Sequence, residues 1–148
     1  MNVSTPGDLC SLIGAQKYAV TKLKVSGNLN GADMLCLREM AGSDIDGNST
    51  PGNLAILDLK DANIIASSGT ANRYYGTNVT SNNTIGNYMF YNCSKLISIT
   101  FPSTVNSIGT YAFQYAGLTG ITVPVSITSI GNYAFYGCSS LNTVIIQD

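Results

Sequence analysis

The chain has 148 residues, the length of a single domain. Its seven basic and eight acidic residues give a net charge of −1, which argues against electrostatic recognition of nucleic acids or of an anionic membrane surface. Only 10% of the residues are charged, so most of the surface must be built from Ser, Thr, Asn, Gly and Tyr.

The composition also argues against several kinds of site. No apolar run approaches the ~20 residues that cross a bilayer, so we expect no membrane-spanning segment. The first ten residues lack the basic start and the apolar stretch of an export signal. The chain has no histidine and no C-x-x-C pair, which argues against a zinc site of the usual Cys/His kind. We predict neither a metal nor a cofactor.

The first half of the chain contains two predicted helices and two predicted strands. In chain order these are a short helix in TPGDLCSLI beginning near Asp8, a strand in VTKLKV, a helix in NGADMLCLREMAG closed by Gly42, and a strand in LAILDLKDANI. Residues 66–84 are polar and rich in Gly and Asn, which predicts a long loop. The strands bury one face through apolar residues at L-x-x-L-x-L spacing: Val20, Leu23 and Val25, then Leu54, Leu57 and Leu59.

The second half repeats one phrase three times. IGNYMFYNC (85–93), IGTYAFQYA (108–116) and IGNYAFYGC (130–138) begin 23 and then 22 residues apart. This spacing is typical of a solenoid, in which each repeat is one structural unit. The third position of the second copy is Thr rather than Asn, and its last position is Ala116 where the others have Cys93 and Cys138.

A short strand is predicted after each phrase, and proline marks the end of the first two at Pro102 and Pro124. Side chains alternate across a strand, so one set faces the core and the other faces outward. The inward set is Leu96, Ile99 and Phe101, then Leu118, Ile121 and Val123, then Leu141, Val144 and Ile146. The outward set is Ser98 and Thr100, then Gly120 and Thr122, then Thr143 and Ile145.

Stacking of these units is expected because a lone repeat of this length buries too little apolar surface to fold. We therefore predict an α/β solenoid with a parallel sheet of five strands and a helix-containing N-terminal cap. The expected organisation is a single domain over residues 1–148, with the cap and irregular repeats in 1–84 and three regular repeats in 85–148.

The three later units resemble the leucine-rich repeats of the BspA-like family of bacterial surface proteins. The resemblance rests on IGNYMFYNCSKLISITFP, IGTYAFQYAGLTGITVP and IGNYAFYGCSSLNTVII, and on the cap-like segments LKVSGNLNGADMLCLREMAG and NLAILDLKDANI. It implies a leucine-rich repeat fold, a secreted or cell-surface location, and adhesion to a host extracellular or cell-surface protein. It implies no catalytic residues.

The outward residues of the strands, on the concave face of such a solenoid, are the first candidate binding surface. Their β-branched threonines also suit strands for structural reasons, so a purely structural role stays open. This candidate surface comprises Lys22, Lys24, Asp58, Ser98, Thr100, Thr122 and Thr143.

The tyrosines of the repeated phrase are the alternative candidate surface. Tyr88, Tyr111 and Tyr133 form one column, while Tyr91 and Tyr136 share another. Tyrosine offers a large contact area at low entropic cost, which suits a glycan-binding role. The competing interpretation is that the rings cover the turns of a solenoid that has few charges.

Other candidate sites have simpler explanations. Rungs spaced ~4.8 Å apart put Cys93 and Cys138 too far apart for a disulfide, so we expect both to pack in the core. The segment SDIDGNS, with Asp44 in it, departs from the calcium-loop template and favours a plain turn. Catalysis would depend on Asp58 beside Lys22 and Lys24, an arrangement that we regard as weak.

The last segment, NTVIIQD, predicts a strand with no polar cap after it. An unpaired sheet edge is open to pairing. We expect this edge to associate with a second copy of the chain or to be followed by further sequence in the natural protein.

Overall fold

The structure is a computed structural model that describes residues 1–67 and 79–148. In these two ranges, no helix is both long enough and apolar enough to span a bilayer. The elements are β1 (Asn2–Val3), α1 (Leu9–Ile13), a 3-10 turn (Gly14–Gln16), β2 (Lys22–Leu29), α2 (Gly31–Met40), β3 (Ile56–Ile64), β4 (Thr84–Ile85), β5 (Ser98–Thr100), β6 (Ser107–Ile108), β7 (Gly120–Val123), β8 (Ser129–Ile130) and β9 (Thr143–Ile146).

Helix α2 has well-formed ends, of which the sequence predicts the glycine closure. Asn30 caps the amino end, where its side chain accepts hydrogen bonds from the backbone of Ala32 and Asp33, and Asp33 accepts one from the Asn30 amide in return. At the carboxyl end Gly42 has a φ of 105°, a left-handed conformation that suits glycine. The predicted helix and its glycine closure are both confirmed.

Helix α1 is fastened to α2 by two kinds of contact. Cys10 of α1 and Cys36 of α2 form a disulfide. The buried carboxylate of Asp33 also accepts the amides of Gly7 at 2.7 Å and Leu9 at 3.0 Å. The sequence places Asp8 near the amino end of α1, but its side chain makes no capping bond there. Asp33 therefore caps both helices and makes them one unit.

The five predicted strands are all present and all run parallel, but they form two sheets. One sheet has the order β1-β2-β3-β5, and the other pairs β7 with β9. The expected continuous ladder is interrupted between β5 and β7, where one backbone hydrogen bond, from Thr119 N to Ile97 O at 3.1 Å, joins the two strands at their start. Inward and outward side chains alternate within each strand whether or not it is paired, so the interruption does not change which side chains face the core.

The repeated phrase forms the joint between rungs. Its isoleucines lie in the three-stranded ladder β4-β6-β8, and backbone hydrogen bonds link each phrase to the next, as between Phe90 N and Ala112 O at 2.7 Å. The phenylalanine rings stack through the core, with centroids 5.3 Å apart for Phe90 and Phe113 and 5.4 Å for Phe113 and Phe135. These contacts explain why the phrase recurs almost unchanged.

The core follows the inward columns of the first two repeats but not those of the third. Leu96, Ile99, Phe101, Leu118, Ile121 and Val123 are all buried, whereas Val144 and Ile146 of β9 are 58% and 75% exposed. Val144 and Ile146 are in register with the buried Ile121 and Val123, but the prediction that they face the core is wrong, because they are exposed. Among the described residues no further strand pairs with β9 and covers them. Leu141 is half-buried.

The predicted loop at 66–84 lies only partly within the described residues. Residues 68–78 lie outside them. At its base Ser67 and Thr80 form an antiparallel bridge, and the Asn82 side chain accepts the Ala66 amide at 2.7 Å.

Candidate functional site on the strand face

A groove runs along the outward side of the strands where the ladder breaks between β5 and β7. It has a volume of about 570 Å³. Its walls are the residues of β5, β7 and β9 together with the segments that enter and leave them. We call this outward side the strand face and the cavity the groove. The groove is lined by Lys60, Ile97, Ser98, Ile99, Thr100, Phe101, Ser103, Thr119, Gly120, Ile121, Thr122, Pro124, Thr143, Ile145 and Gln147.

Four of the predicted site residues meet in this groove. Ser98 and Thr100 of β5 line one side, Thr122 of β7 and Thr143 of β9 line the other, and Gly120 leaves space between them. Hydroxyl groups both donate and accept hydrogen bonds, so this wall suits a polar ligand without requiring one charge. The four lie together because the repeat has two outward positions in each strand, with Ser98 and Thr143 at the first and Thr100 and Thr122 at the second.

The other three predicted residues share the strand face but lie outside the groove. Lys24 and Asp58 are in register on neighbouring strands, yet Lys24 pairs with Asp61, at 2.7 Å. The hydrogen bond from Lys24 lowers the pKa of the Asp61 carboxyl, and the same bond raises the pKa of Lys24. The Asp58 carboxylate accepts the Lys60 amide at 2.9 Å. Lys22 is exposed at the start of β2.

Lys60 is a groove residue that the sequence pattern does not single out. The register of β2 and β3 shifts between Lys24 and Ser26, so β3 carries one extra residue, as in a β-bulge. The extra residue falls within residues 59–60, where Lys60 and the following Asp61 are both exposed, and Lys60 lines the groove. The sequence does contain a signal for the position of Lys60. Asp58 and Lys60 are two residues apart in LDLKD, and strand alternation puts both on the outward side of β3.

Lys60 is the one charged side chain among the described residues that line the groove. In the described ranges no carboxylate lies within ion-pair distance of it. Exposed isoleucines flank the hydroxyl wall, with Ile97 45% and Ile145 53% exposed. The groove thus offers hydroxyls, aliphatic surface and one positive charge.

The tyrosine columns form a continuous layer of rings on the turns. Tyr111 stacks on Tyr88 at 5.0 Å and on Tyr133 at 5.2 Å. Tyr115 lies between Tyr91 and Tyr136 with edge contacts at 6.1 and 5.8 Å, in the place where alignment of the copies puts Gln114. The stacked rings of this column cover one another. Tyr133 is the last ring, so the side of it that points away from Tyr111 is open to solvent, and the residue is 60% exposed.

The two remaining cysteines are free thiols, as predicted. Cys93 is fully buried, and burial raises its pKa to about 12. Cys138 is half-buried because it belongs to the last rung, so its predicted place in the core is only partly confirmed. Burial raises its pKa as well, and its sulfur lies 3.0 Å from the Phe113 carbonyl oxygen.

The segment around Asp44 forms a turn held by its own side chain. The Asp44 carboxylate accepts hydrogen bonds from the Asp46 and Asn48 amides at 2.9 and 2.8 Å and from the Asn48 side chain at 3.1 Å. Partial burial would raise the pKa of this carboxyl, but the hydrogen bonds from Asn48 and Asp46 outweigh it and lower the pKa. Residues 1–67 and 79–148 contain no group of three or more potential metal ligands.

A protein-family model matches half of the chain. Residues 75–148 match the family described as "BspA type Leucine rich repeat region (6 copies)". The chain belongs to this family. The match begins before the first predicted repeat and covers all three, so the resemblance seen in the repeats of this BspA-type protein is confirmed, as is its leucine-rich repeat fold.

Two solved structures are similar to this BspA-type chain. A leucine-rich repeat protein from Bacteroides ovatus ATCC 8483 is 26% identical, with a TM-score of 0.48 over 98% of this chain and 28% of that one. A leucine-rich cell surface protein from Faecalibacterium prausnitzii A2-165 is 19% identical, with a TM-score of 0.43 over 86% of this chain and 39% of that one. The chain thus spans well under half of either protein. No curated protein sequence matches it.

Proposed function

We propose that the protein is a non-enzymatic binding module that holds a host extracellular or cell-surface protein on its strand face. The observation that carries this proposal is the groove, because four predicted outward residues from three strands line one cavity there. Concave surfaces with a few placed polar groups and apolar walls are the usual form of ligand sites. A solenoid also holds such a surface rigidly, since each rung is fixed by its neighbours.

We propose further that the protein works outside the bacterial cytoplasm, either secreted or on the cell surface. The family resemblance implies this location, and the Cys10–Cys36 disulfide supports it. Disulfides persist in oxidising surroundings and are rare in the cytosol, where thiols are kept reduced.

The test is capture of host extracellular proteins by the purified chain. A variant with Thr100→Ala, Thr122→Ala and Thr143→Ala removes hydroxyls from exposed positions and should leave the melting temperature almost unchanged. We expect the wild type to capture a protein that this variant holds at least about tenfold more weakly, a difference of ~1.4 kcal/mol. Equal capture by both would show that the strand face is not the binding surface.

Glycan binding through the tyrosine layer stays the alternative prediction. The stacking of Tyr88, Tyr111 and Tyr133 favours a structural role for most of these rings. A glycan array separates the two: binding that is lost in Tyr133→Ala and kept in the threonine variant would favour the tyrosine layer.

A further inference from the structure

The groove has chemical features that narrow the kind of partner segment that fits it. We propose that it binds an extended peptide segment carrying a carboxylate side chain, with Lys60 as the carboxylate partner. This inference rests on the proposed function and specifies the part of the partner that enters the groove.

The first argument is charge. Lys60 lines the groove and has no carboxylate within ion-pair distance among the described residues, whereas Lys24 and Lys17 have partners in Asp61 and Glu39. The groove wall within the described ranges carries no acidic side chain. A carboxylate entering the groove would therefore meet one positive charge on the lining, which gives complementarity and orientation. Asp61, whose pKa is lowered by the hydrogen bond from Lys24 and further by the charge of Lys60, lies outside the lining and is paired with Lys24.

The second argument is the interrupted ladder. After the bond from Thr119 N to Ile97 O, no backbone hydrogen bond between β5 and β7 occurs in the described part of the chain. Backbone groups of strands are strong donors and acceptors that require partners. An extended segment lying along the groove brings its own backbone donors and acceptors to these groups and to the hydroxyls of Thr100 and Thr122.

The third argument concerns the aliphatic walls. Ile97 and Ile145 expose 45% and 53% of their surface beside the hydroxyls. Apolar side chains of a peptide would bury this surface with a gain of ~25 cal/mol per Å². The one aromatic ring of the described lining, Phe101, is only 5% exposed, so no ring is presented on which a sugar would stack. These features favour a peptide over an acidic glycan.

The test uses an array of short synthetic acidic peptides, each beside its Asn/Gln counterpart, together with uronic-acid and sialic-acid glycans. We expect acidic peptides to bind better than their amide counterparts. Lys60→Gln and Lys60→Glu should each weaken that binding, the reversal by about tenfold or more. Lys60→Arg keeps the charge and should retain most of it.

Lys95 supplies the matched control, because it is exposed and lies outside the groove. Lys95→Gln and Lys95→Glu should leave peptide binding unchanged. Equal losses at both lysines, binding of glycans alone, or binding of no array member would each overturn the inference. Should a captured host protein depend on the groove threonines and yet ignore Lys60, this inference fails while the proposed function stands.

Discussion

A Cβ atom placed on Gly131 would lie 2.5 Å from the backbone nitrogen of Thr110 in the preceding rung. A Cβ on Gly109 would likewise lie 2.6 Å from the Asn87 nitrogen. The backbone of the preceding rung cannot move away from the added methyl group without disturbing its own hydrogen bonds. Gly131→Ala and Gly109→Ala should therefore each lower the free energy of unfolding by about 1 to 3 kcal/mol. Urea denaturation measures this directly.

Gly86 is the matched control for these substitutions, because it occupies the same position in the first copy of the phrase. Its added Cβ meets the flexible end of Met89 at 3.3 Å and no backbone atom. Gly86→Ala should be neutral or slightly stabilising, since alanine restricts the unfolded chain. Equal losses at all three glycines would contradict the view that rung contact is what requires glycine.

Tyr115 and Gly137 should be coupled energetically. A Cβ on Gly137 would come within 2.3 Å of Cδ1 of the Tyr115 ring, and Gly137 has a φ of 71°. Gly137→Ala should therefore destabilise the wild type through both the clash and the backbone strain, but a Tyr115→Asn background through strain alone. A double-mutant cycle should give a coupling of about 0.5 to 3 kcal/mol. Simple additivity would mean that the tyrosine layer does not pack between rungs.

Reduction of the Cys10–Cys36 disulfide should destabilise the cap. The bond joins residues 26 apart in sequence, and closing such a loop constrains the unfolded chain by about 3 to 4 kcal/mol in the chain-entropy view. The Cys10→Ser/Cys36→Ser variant should melt at a lower temperature than the wild type, and a reductant should have no effect on the variant. An unchanged melting temperature would show that the disulfide adds nothing to the Asp33 hydrogen bonds and the apolar packing that also join α1 to α2.

The two free thiols should differ in reactivity. Cys93 is buried with a pKa of about 12, so at pH 8 almost none of it is thiolate and a reagent reaches it only when the fold opens. Cys138 is half-buried and should be labelled faster. Labelling of intact protein, with Cys138→Ser and Cys93→Ala variants to assign each rate, measures the order. Rapid labelling of Cys93 would contradict the packed core around it.

Much of this fold is predictable because each repeat places the same residue type at the same position. Aligned columns identify buried Leu96 and Leu118 and outward Thr100 and Thr122, since the alternation of a strand is local. Helix α2 follows from its apolar residues and from Gly42 at its end, which are local signals as well.

Other features depend on contacts between distant segments, which no local pattern encodes. Four cysteines allow three pairings if all are bridged, so spacing alone does not select Cys10 with Cys36. The bulge beside Lys60 and the preference of Lys24 for Asp61 over Asp58 arise from the register of β2 against β3. The break between β5 and β7 is likewise invisible, because both strands carry the same pattern.

The most direct test of the central claim is a binding titration of the captured host protein with groove-filling and control variants. Thr122→Trp places a large uncharged side chain in the groove, whereas Thr128→Trp makes the same change at an exposed threonine outside it. We predict that Thr122→Trp weakens binding by about tenfold or more, about 1.4 kcal/mol, while Thr128→Trp binds like the wild type and both variants remain folded. Equal affinity of all three proteins would contradict the assignment of binding to the groove.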